Sequence, residues 1–242
     1  MHRFYIDHVD GNKAIISDSE QLHHLKDVLR LKVDDEVIVF DSLGNEYLGA
    51  ITGLDREQAE LKVARVGSSR SPSSTKLTVA CAIPKGNRLD DVIDYLTQLG
   101  VDRIIPMWTE RVVVKLDDTK TEARLKRWQK IAQSAAQQSQ RSKIPLIEPV
   151  TGLNDVVSSS EDYDLKLIPN LAGERRHLKD VVAEARPKDI IVLIGPEGDF
   201  TLEEVTLAVS KGFIPVSLGD TVLRVATAAI AVASYIKFAL VE

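Results

Sequence analysis

Two apolar runs near the end of this chain each open through a glycine loop onto a helical pattern, and they constrain its fold more than any other feature. The first is Asp189–Ile194, followed by Gly195, Pro196, Glu197, Gly198, Asp199 and Phe200. The second covers residues 213–218, followed by Gly219, Asp220, Thr221, Val222, Leu223 and Arg224. Short apolar runs bounded by glycine read as buried strands. Two strand–loop–helix units in succession predict neighbouring parallel strands, and open α/β sheets bind ligands at the carboxyl ends of such strands. Glycine lets backbone approach a ligand closely, and the helix that follows presents free N–H groups. The loops lack the Gly-x-Gly-x-x-Gly spacing, and the chain has no Gly-Lys-Ser/Thr phosphate loop. A dinucleotide or a nucleoside triphosphate therefore has no fingerprint here.

The alternation extends upstream. Residues 77–83, 103–107, 163–168, 190–194 and 214–218 read as strands. Residues 88–99, 121–141, 178–185, 201–212 and 225–241 read as helices, and Thr201 with Glu204 forms a capping box for the fourth. Alternating β and α patterns predict a parallel sheet covered by helices. Before residue 67 the pattern differs. Residues 14–16, 36–41, 46–51 and 58–63 are short strand patterns, with a turn at 42–45. Residues 19–31 carry Leu22, Leu25, Val28 and Leu29 at helical spacing, with Ser19 as candidate N-cap. Residues 67–75 are rich in Ser, Gly and Pro and form the clearest linker. Two domains result, 1–70 and 75–242.

The apolar and charged fractions, 44% and 28%, are those of a soluble globular protein. One cysteine, Cys81, lies in an apolar run, so no disulfide can form within the chain, and the reading is a small buried hydrophobe. No pair among the five histidines has metal-helix spacing, and no metal is expected. No leader pattern follows Met1, and the apolar run at 225–240 is short for a membrane span and carries Lys237. The expectation is a cytoplasmic enzyme with no membrane partner. Net charge is −5, yet residues 71–150 hold 13 basic and 9 acidic residues. Residues 120–143 hold seven basic residues and one acid. Such a strip can bind phosphates whatever the global charge, because salt screens charges beyond about 8–10 Å. A solvated helix face explains it equally well.

Ordered motifs along nearly the whole chain resemble the RsmE-type ribosomal RNA methyltransferases of the SPOUT superfamily. They are His2-Arg3-Phe4-Tyr5, His23-His24-Leu25, Val28-Leu29-Arg30, Pro84-Lys85-Gly86, Leu99-Gly100-Val101 and Glu110-Arg111. Arg127-Trp128-Gln129-Lys130, Gln138-Ser139 with Arg141, and both carboxyl-terminal loops complete the set. The resemblance implies an N-terminal PUA-like β-barrel at 1–70. It also implies a SPOUT domain at 75–242 with a parallel sheet, a deep trefoil knot and a homodimer. Ordinary topological rules would reject a knot. The implied reaction moves a methyl group from S-adenosylmethionine to N3 of a uridine in 16S rRNA of the small ribosomal subunit, uracil 1498.

The same resemblance places the cofactor on Ile168, Pro169, Ile194, Gly195, Glu197, Gly198, Leu218, Gly219, Val222, Leu223, Thr227 and Ala228. Ile168, Ile194, Leu218, Val222 and Leu223 offer an apolar wall, and backbone groups of the loops suit an adenine. Arg224 is implied as the catalytic residue, and Thr227 either caps the last helix or contacts the cofactor. Arg3, His24 and Arg30 in the first domain, with Lys85, Arg88, Arg111, Lys115 and Arg141 in the second, are candidates for phosphate contact. Trp108 and Trp128 can stack a base, although Trp128 lies in an apolar helical stripe. Glu197 and Asp199 are candidate bases for the N3 proton, with helix capping favoured for both.

The chain departs from the family pattern at four places. Val225-Ala226-Thr227-Ala228 stands where Thr-Glu-Thr-Ala is usual, Gln98 and Gln137 replace glutamates, and Asp199 replaces a glycine. Two alternatives follow: a catalytically weakened RNA-binding SPOUT protein, or a methyltransferase acting on another RNA.

Overall fold

A computed structural model describes residues 1–41, 44–66, 75–86, 88–112, 118–141, 143–185 and 187–240, with side chains of 118–120 left aside. The linker at 67–74, Lys115, and parts of the expected turn at 42–45 and of the last helix lie outside the described residues. The chain divides into two compact units. One is Met1–Pro72 with Ala136–Ile144; the other is Ser73–Ala135 with Pro145–Glu242. Residues 136–144, read above with the second domain, therefore group with the first unit.

The first unit contains β1 (Arg3–Tyr5), β2 (Val9–Asp10), β3 (Lys13–Ile16), α1 (Ser19–His23), β4 (Glu36–Phe40), β5 (Glu46–Leu54) and β6 (Ala59–Val66). Alternating burial along β6 matches its apolar-polar alternation. The strands form one sheet in the order β1-β4-β5-β6-β3-β2, and its ladders run open from β1 to β2. The closed barrel expected from the resemblance is not formed by the hydrogen bonds of the described residues. The pairing of β1 with β4 is parallel and the other pairings are antiparallel. The inner face buries Phe4, Ile16, Leu25, Val37, Val39, Ile51 and Leu61. Full enclosure of such side chains stabilises the fold by about 1.5–3 kcal/mol each.

The helix of this unit differs from the sequence expectation. Asp18, not Ser19, is the N-cap, its Oδ1 accepting from the backbone N–H of Glu20 and Gln21. The α-helix then widens into a π-helical turn over His24–Val28. It ends at Arg30, which adopts φ 56°, a left-handed conformation uncommon outside glycine. Gln21 bonds both backbone groups of Tyr5, and Gln137 donates to Gln21. Gln137 is one of the positions where the family pattern has glutamate, and a glutamate carboxylate could not donate this bond.

The second unit is built on a fully parallel sheet. Its elements are β7 (Lys76–Ala82), α2 (Arg88–Gln98), β8 (Arg103–Trp108), α3 (Asp118–Gln138), β9 (Leu146–Ile147), β10 (Thr151–Gly152) and α4 (Leu153–Ser158). They continue with β11 (Leu165–Pro169), β12 (Arg176–His177), α5 (Leu178–Glu184), β13 (Asp189–Ile194), α6 (Leu202–Ser210), β14 (Ile214–Ser217) and α7 (Val225–Ala239). Strand order is β10-β8-β7-β13-β11-β14-β12, with β9 beside β8. Elements β9, β10, α4 and β12 are too short to leave a periodic signal. The expected adjacency of the two glycine-loop strands is corrected: β11 lies between β13 and β14.

Local chemistry fixes the helix ends. In α2, Leu89, Val92, Ile93 and Leu96 form the buried stripe. It closes at Gly100, φ 85°, with Val101 N–H bonded to Leu96 C=O and Gly100 N–H to Thr97 C=O. That is a Schellman ending, which glycine favours. Trp128 is 2% exposed and donates to Asp90 on α2 at 3.1 Å, so it serves the core rather than stacking a base. In α7, Val225, Ala229, Val232, Ala233 and Ile236 face inward.

Near the end of α7, Lys237 Nζ lies 3.1 Å from Asp102 Oδ2, which also accepts from the Leu77 backbone N–H. The two side chains are only 12% and 17% exposed. Lys237→Ala removes the cation from a largely desolvated carboxylate. We expect a loss of about 2–3 kcal/mol in urea unfolding, below a fully enclosed pair because both ends keep some water. A loss under about 0.5 kcal/mol would class it with surface pairs.

Candidate active site

The carboxyl ends of β11, β13 and β14 surround a cleft of about 580 Å³, its open mouth included. Three segments line it: Pro169, Asn170, Leu171 and Arg175 after β11; Ile194 to Glu197 with Asp199 after β13; and Leu218, Gly219 and Thr221 to Leu223 after β14. Val225 and Ala228 on α7 close it. Of the residues expected at a cofactor, Pro169, Ile194, Gly195, Glu197, Leu218, Gly219, Val222, Leu223 and Ala228 thus come together. Ile168, Gly198 and Thr227 do not line the cleft. Ile168 is fully buried in the core beneath α4 and α6.

The two glycines are needed for different reasons. A Cβ on Gly195 would sit 3.0 Å from the Phe200 ring, so the constraint there is protein packing rather than ligand approach. Gly219 has open space but φ 115°, a backbone conformation that side chains resist. The helix after β13 starts with the expected box. Thr201 Oγ1 accepts from Glu204 N–H at 3.2 Å, and Glu204 Oε2 accepts from Thr201 N–H at 2.9 Å.

That box leaves no capping task for Glu197 or Asp199, which corrects the capping expectation. Glu197 Oε1 instead accepts from the Lys85 backbone N–H at 3.3 Å, and Asp199 Oδ2 accepts from the Leu171 N–H at 2.8 Å. Thr227 does not cap α7 either, whose N-cap is Arg224 with no side-chain bond. Arg224 is exposed, between cleft residues Leu223 and Val225, and its guanidinium has no partner among the described residues. Ala226 is half-buried in the first turn of α7.

The cleft has one cation among its lining residues, Arg175, and two carboxylates, Glu197 and Asp199. Asn170 is 7% exposed and its Oδ1 has no partner among the described residues, while its Nδ2 donates to Ala172 C=O at 2.6 Å. An apolar wall, a guanidinium, carboxylates and an orphaned acceptor suit a zwitterionic ligand with a flat apolar part. Asn170, Leu171 and Arg175 were not anticipated. Their signal was a Pro-Asn pair ending an apolar run on the same sheet edge as the other two loops.

The phosphate candidates divide between the two units. Arg3, His24, Arg30 and Arg141 belong to the first unit, and Lys85, Arg88 and Arg111 to the second. Arg3 is corrected: it pairs with Glu46, stacks over the Phe40 ring at 5.5 Å, and its side chain is 13% exposed. Arg111 donates to Gly198 C=O at 2.5 Å and sits behind the β13 loop, holding it. Lys85, Arg88, His24 and Arg30 are exposed, and Arg141 is half-buried. Trp108 is half-buried in a second cleft with Glu110, Asp155 and Glu203, whose charge repels phosphate.

A parallel α/β sheet with its ligand cleft at the ends of three strands defines a small-molecule-binding α/β protein, joined here to a β-rich unit. Residues 71–237 match the RNA methyltransferase domain family, and residues 16–64 match the RNA methyltransferase PUA domain. The chain is 34% identical over 213 residues to ribosomal RNA small subunit methyltransferase E of Synechocystis, covering 86% of this chain and 67% of that one. Two solved structures are similar throughout. One is a putative methyltransferase of Legionella pneumophila with bound cofactor SAM: TM-score 0.88, 31% identity, 98% and 97% of the two chains covered. The other is ribosomal RNA small subunit methyltransferase E of Neisseria gonorrhoeae bound to S-adenosyl methionine: TM-score 0.86, 28% identity, 99% and 98% covered. The chain belongs to the RsmE-type ribosomal RNA small-subunit methyltransferases.

Cys81, on β7 near the cleft, is fully buried. Burial, and secondarily the charge of Glu197, pushes its thiol up to about 12 from an ordinary 9.0. The unfolded thiol ionises first, so folding stability falls as pH rises through that window. Cys81→Ala should remove this component of the alkaline slope in urea titrations. Alkylation of wild type at pH 8 should require unfolding; rapid labelling of the native protein would contradict it.

Proposed function

We propose that this protein transfers a methyl group from S-adenosylmethionine to N3 of a uridine in 16S rRNA, at uracil 1498. The cleft at the ends of β11, β13 and β14, within the segment matching the RNA methyltransferase family, carries this reading. Relatives bearing the small-subunit name support the ribosomal substrate. The reading assigns residues 1–70 to a PUA-like RNA-binding domain and 75–242 to a SPOUT domain with a trefoil knot, acting in the cytoplasm.

When bound, the cofactor supplies an electrophilic methyl on a sulfonium, so the protein's task is positioning. Ile194, Leu218, Val222 and Leu223 would hold its apolar part, and Arg175 would match its carboxylate. Asn170 Oδ1 offers an acceptor to an ammonium or hydroxyl. The uridine N3 would gain a bond to the methyl carbon as that carbon's bond to the sulfonium sulfur breaks, the electron pair passing to sulfur to leave a neutral thioether, and N3 would release its proton. Glu197, exposed at the cleft, is positioned to accept that proton. Arg224, unpaired among the described residues, orients the uracil or its phosphate. Lys85, Arg88 and Arg141 are assigned to phosphate contact.

A second reading rests on Ala226, which stands where the family pattern has a carboxylate. In it, the protein binds RNA with weakened or no turnover. Small subunits from a strain lacking the modification, incubated with labelled S-adenosylmethionine, separate the two readings. Incorporation mapped to uridine N3 supports the first, and binding without incorporation supports the second. Arg224→Ala should lower turnover at least about 100-fold while cofactor affinity stays within about twofold. Parallel loss of both would place Arg224 in the cofactor site instead.

We also assign a homodimer through the second unit. Tyr235 and Phe238, three residues apart on the outward side of α7, are 38% and 73% exposed. Apolar side chains grouped in this way mark contact surfaces. Light scattering should give twice the 26.7 kDa chain mass at micromolar concentration. Phe238→Glu should shift the particle toward the monomer, and a wild-type monomer would refute the assignment.

A further inference from the structure

Asp199 holds a position that its residue type does not favour. Its φ of 60° is left-handed, where glycine costs nothing and aspartate, although more tolerant than most residues, carries a steric penalty. The family pattern that the chain otherwise follows has glycine there. An unfavourable backbone state kept at a ligand cleft points to a task for the side chain.

The surroundings fix where that side chain points. The turn closes with Asp199 N–H on Pro196 C=O at 3.0 Å. Arg111 holds the neighbouring Gly198 C=O, and Phe200 packs on Gly195 from the other side. From this rigid seat the carboxylate reaches to the segment after β11, where Oδ2 accepts from Leu171 N–H at 2.8 Å. That segment contributes Asn170, Leu171 and Arg175 to the cleft. Its own side-chain bonds, Asn170 Nδ2 to Ala172 C=O and Arg175 Nη1 to Asn170 C=O, stay within it, and the Asn170 N–H reaches Val216 C=O on β14 at 3.4 Å. They shape the loop without tying it to the β13 loop.

We infer that Asp199 is a positioning residue of the donor site, a latch that fixes the Asn170–Arg175 loop against the β13 loop and so sets the cleft wall before the cofactor arrives. The inference rests on the cofactor reading above. Preorganisation of this kind raises affinity because the ligand need not order the loop itself. A glycine at 199 would keep the turn and lose the latch. An asparagine would keep both, because its amide oxygen also accepts and its side chain tolerates the left-handed region.

The test compares wild type, Asp199→Gly and Asp199→Asn as full-length proteins. Amide exchange at Leu171 is followed by NMR without ligand, and S-adenosylmethionine affinity is measured by calorimetry. In Asp199→Gly the Leu171 amide should exchange at least about tenfold faster and the cofactor should bind about tenfold more weakly. Urea unfolding should show no loss of global stability, since glycine relieves the backbone strain. Asp199→Asn should stay within about twofold of wild type in both readouts. Unchanged Leu171 exchange in Asp199→Gly overturns the latch, as does faster exchange with unchanged affinity. An asparagine variant as impaired as the glycine variant overturns it too, by showing that charge alone matters. Failure of wild type to bind S-adenosylmethionine defeats the donor-site reading, while the ligand-free exchange still decides whether the latch exists.

Discussion

The insertion of β11 between β13 and β14 is the constraint on which the rest of the second unit depends. All strands of this sheet run in parallel, so the loops that follow them emerge at one edge. Placing β11 in the gap brings a third loop to the two glycine-bearing ones. It supplies Asn170 and Arg175, the orphaned acceptor and the cation of the cleft. Without it the site would be two strand-end turns beside an apolar wall. The insertion is held by ladders on both sides, Leu165–Leu167 with β13 and Leu167–Pro169 with β14.

Around that core the protein spends its polar side chains on holding loops rather than on surface display. Arg111 fixes the β13 loop, and Glu204 joins the capping box to the Glu110 backbone at 2.8 Å. Asp199 reaches across to the β11 loop. Each is charged, each resembled a functional or capping residue in the sequence, and each bonds backbone. Bonds of this kind satisfy main-chain groups that irregular loops would otherwise leave unpaired. They also explain why the exposed Arg224, without a partner among the described residues, stands out among the charged residues next to the cleft.

The departures from the family pattern divide by what they touch. Gln98 bonds Asp94 one turn earlier on an exposed helix face. Gln137 joins a hydrogen-bond set around Tyr5 and Gln21 that an acid could not complete. Asp199 adds a bond between loops. Ala226, half-buried in the first turn of α7, has no such compensation in the structure.

The sequence by itself determined the type and order of the long elements, the capping box at Thr201 and the Gly100 stop of α2. These are local properties: period, cap chemistry and glycine placement act over a few residues. It also carried the family, through motifs whose order survives along the chain. Folding alone decided the strand order, the short strands β9, β10 and β12, the open ladder of the first sheet, and the partners of Arg3, Arg111, Glu197 and Asp199. Strand order and side-chain partners depend on residues far apart in the chain. A charged residue at a loop looks the same in sequence whether it awaits a ligand or pairs with backbone 28 positions away, as Asp199 does with Leu171.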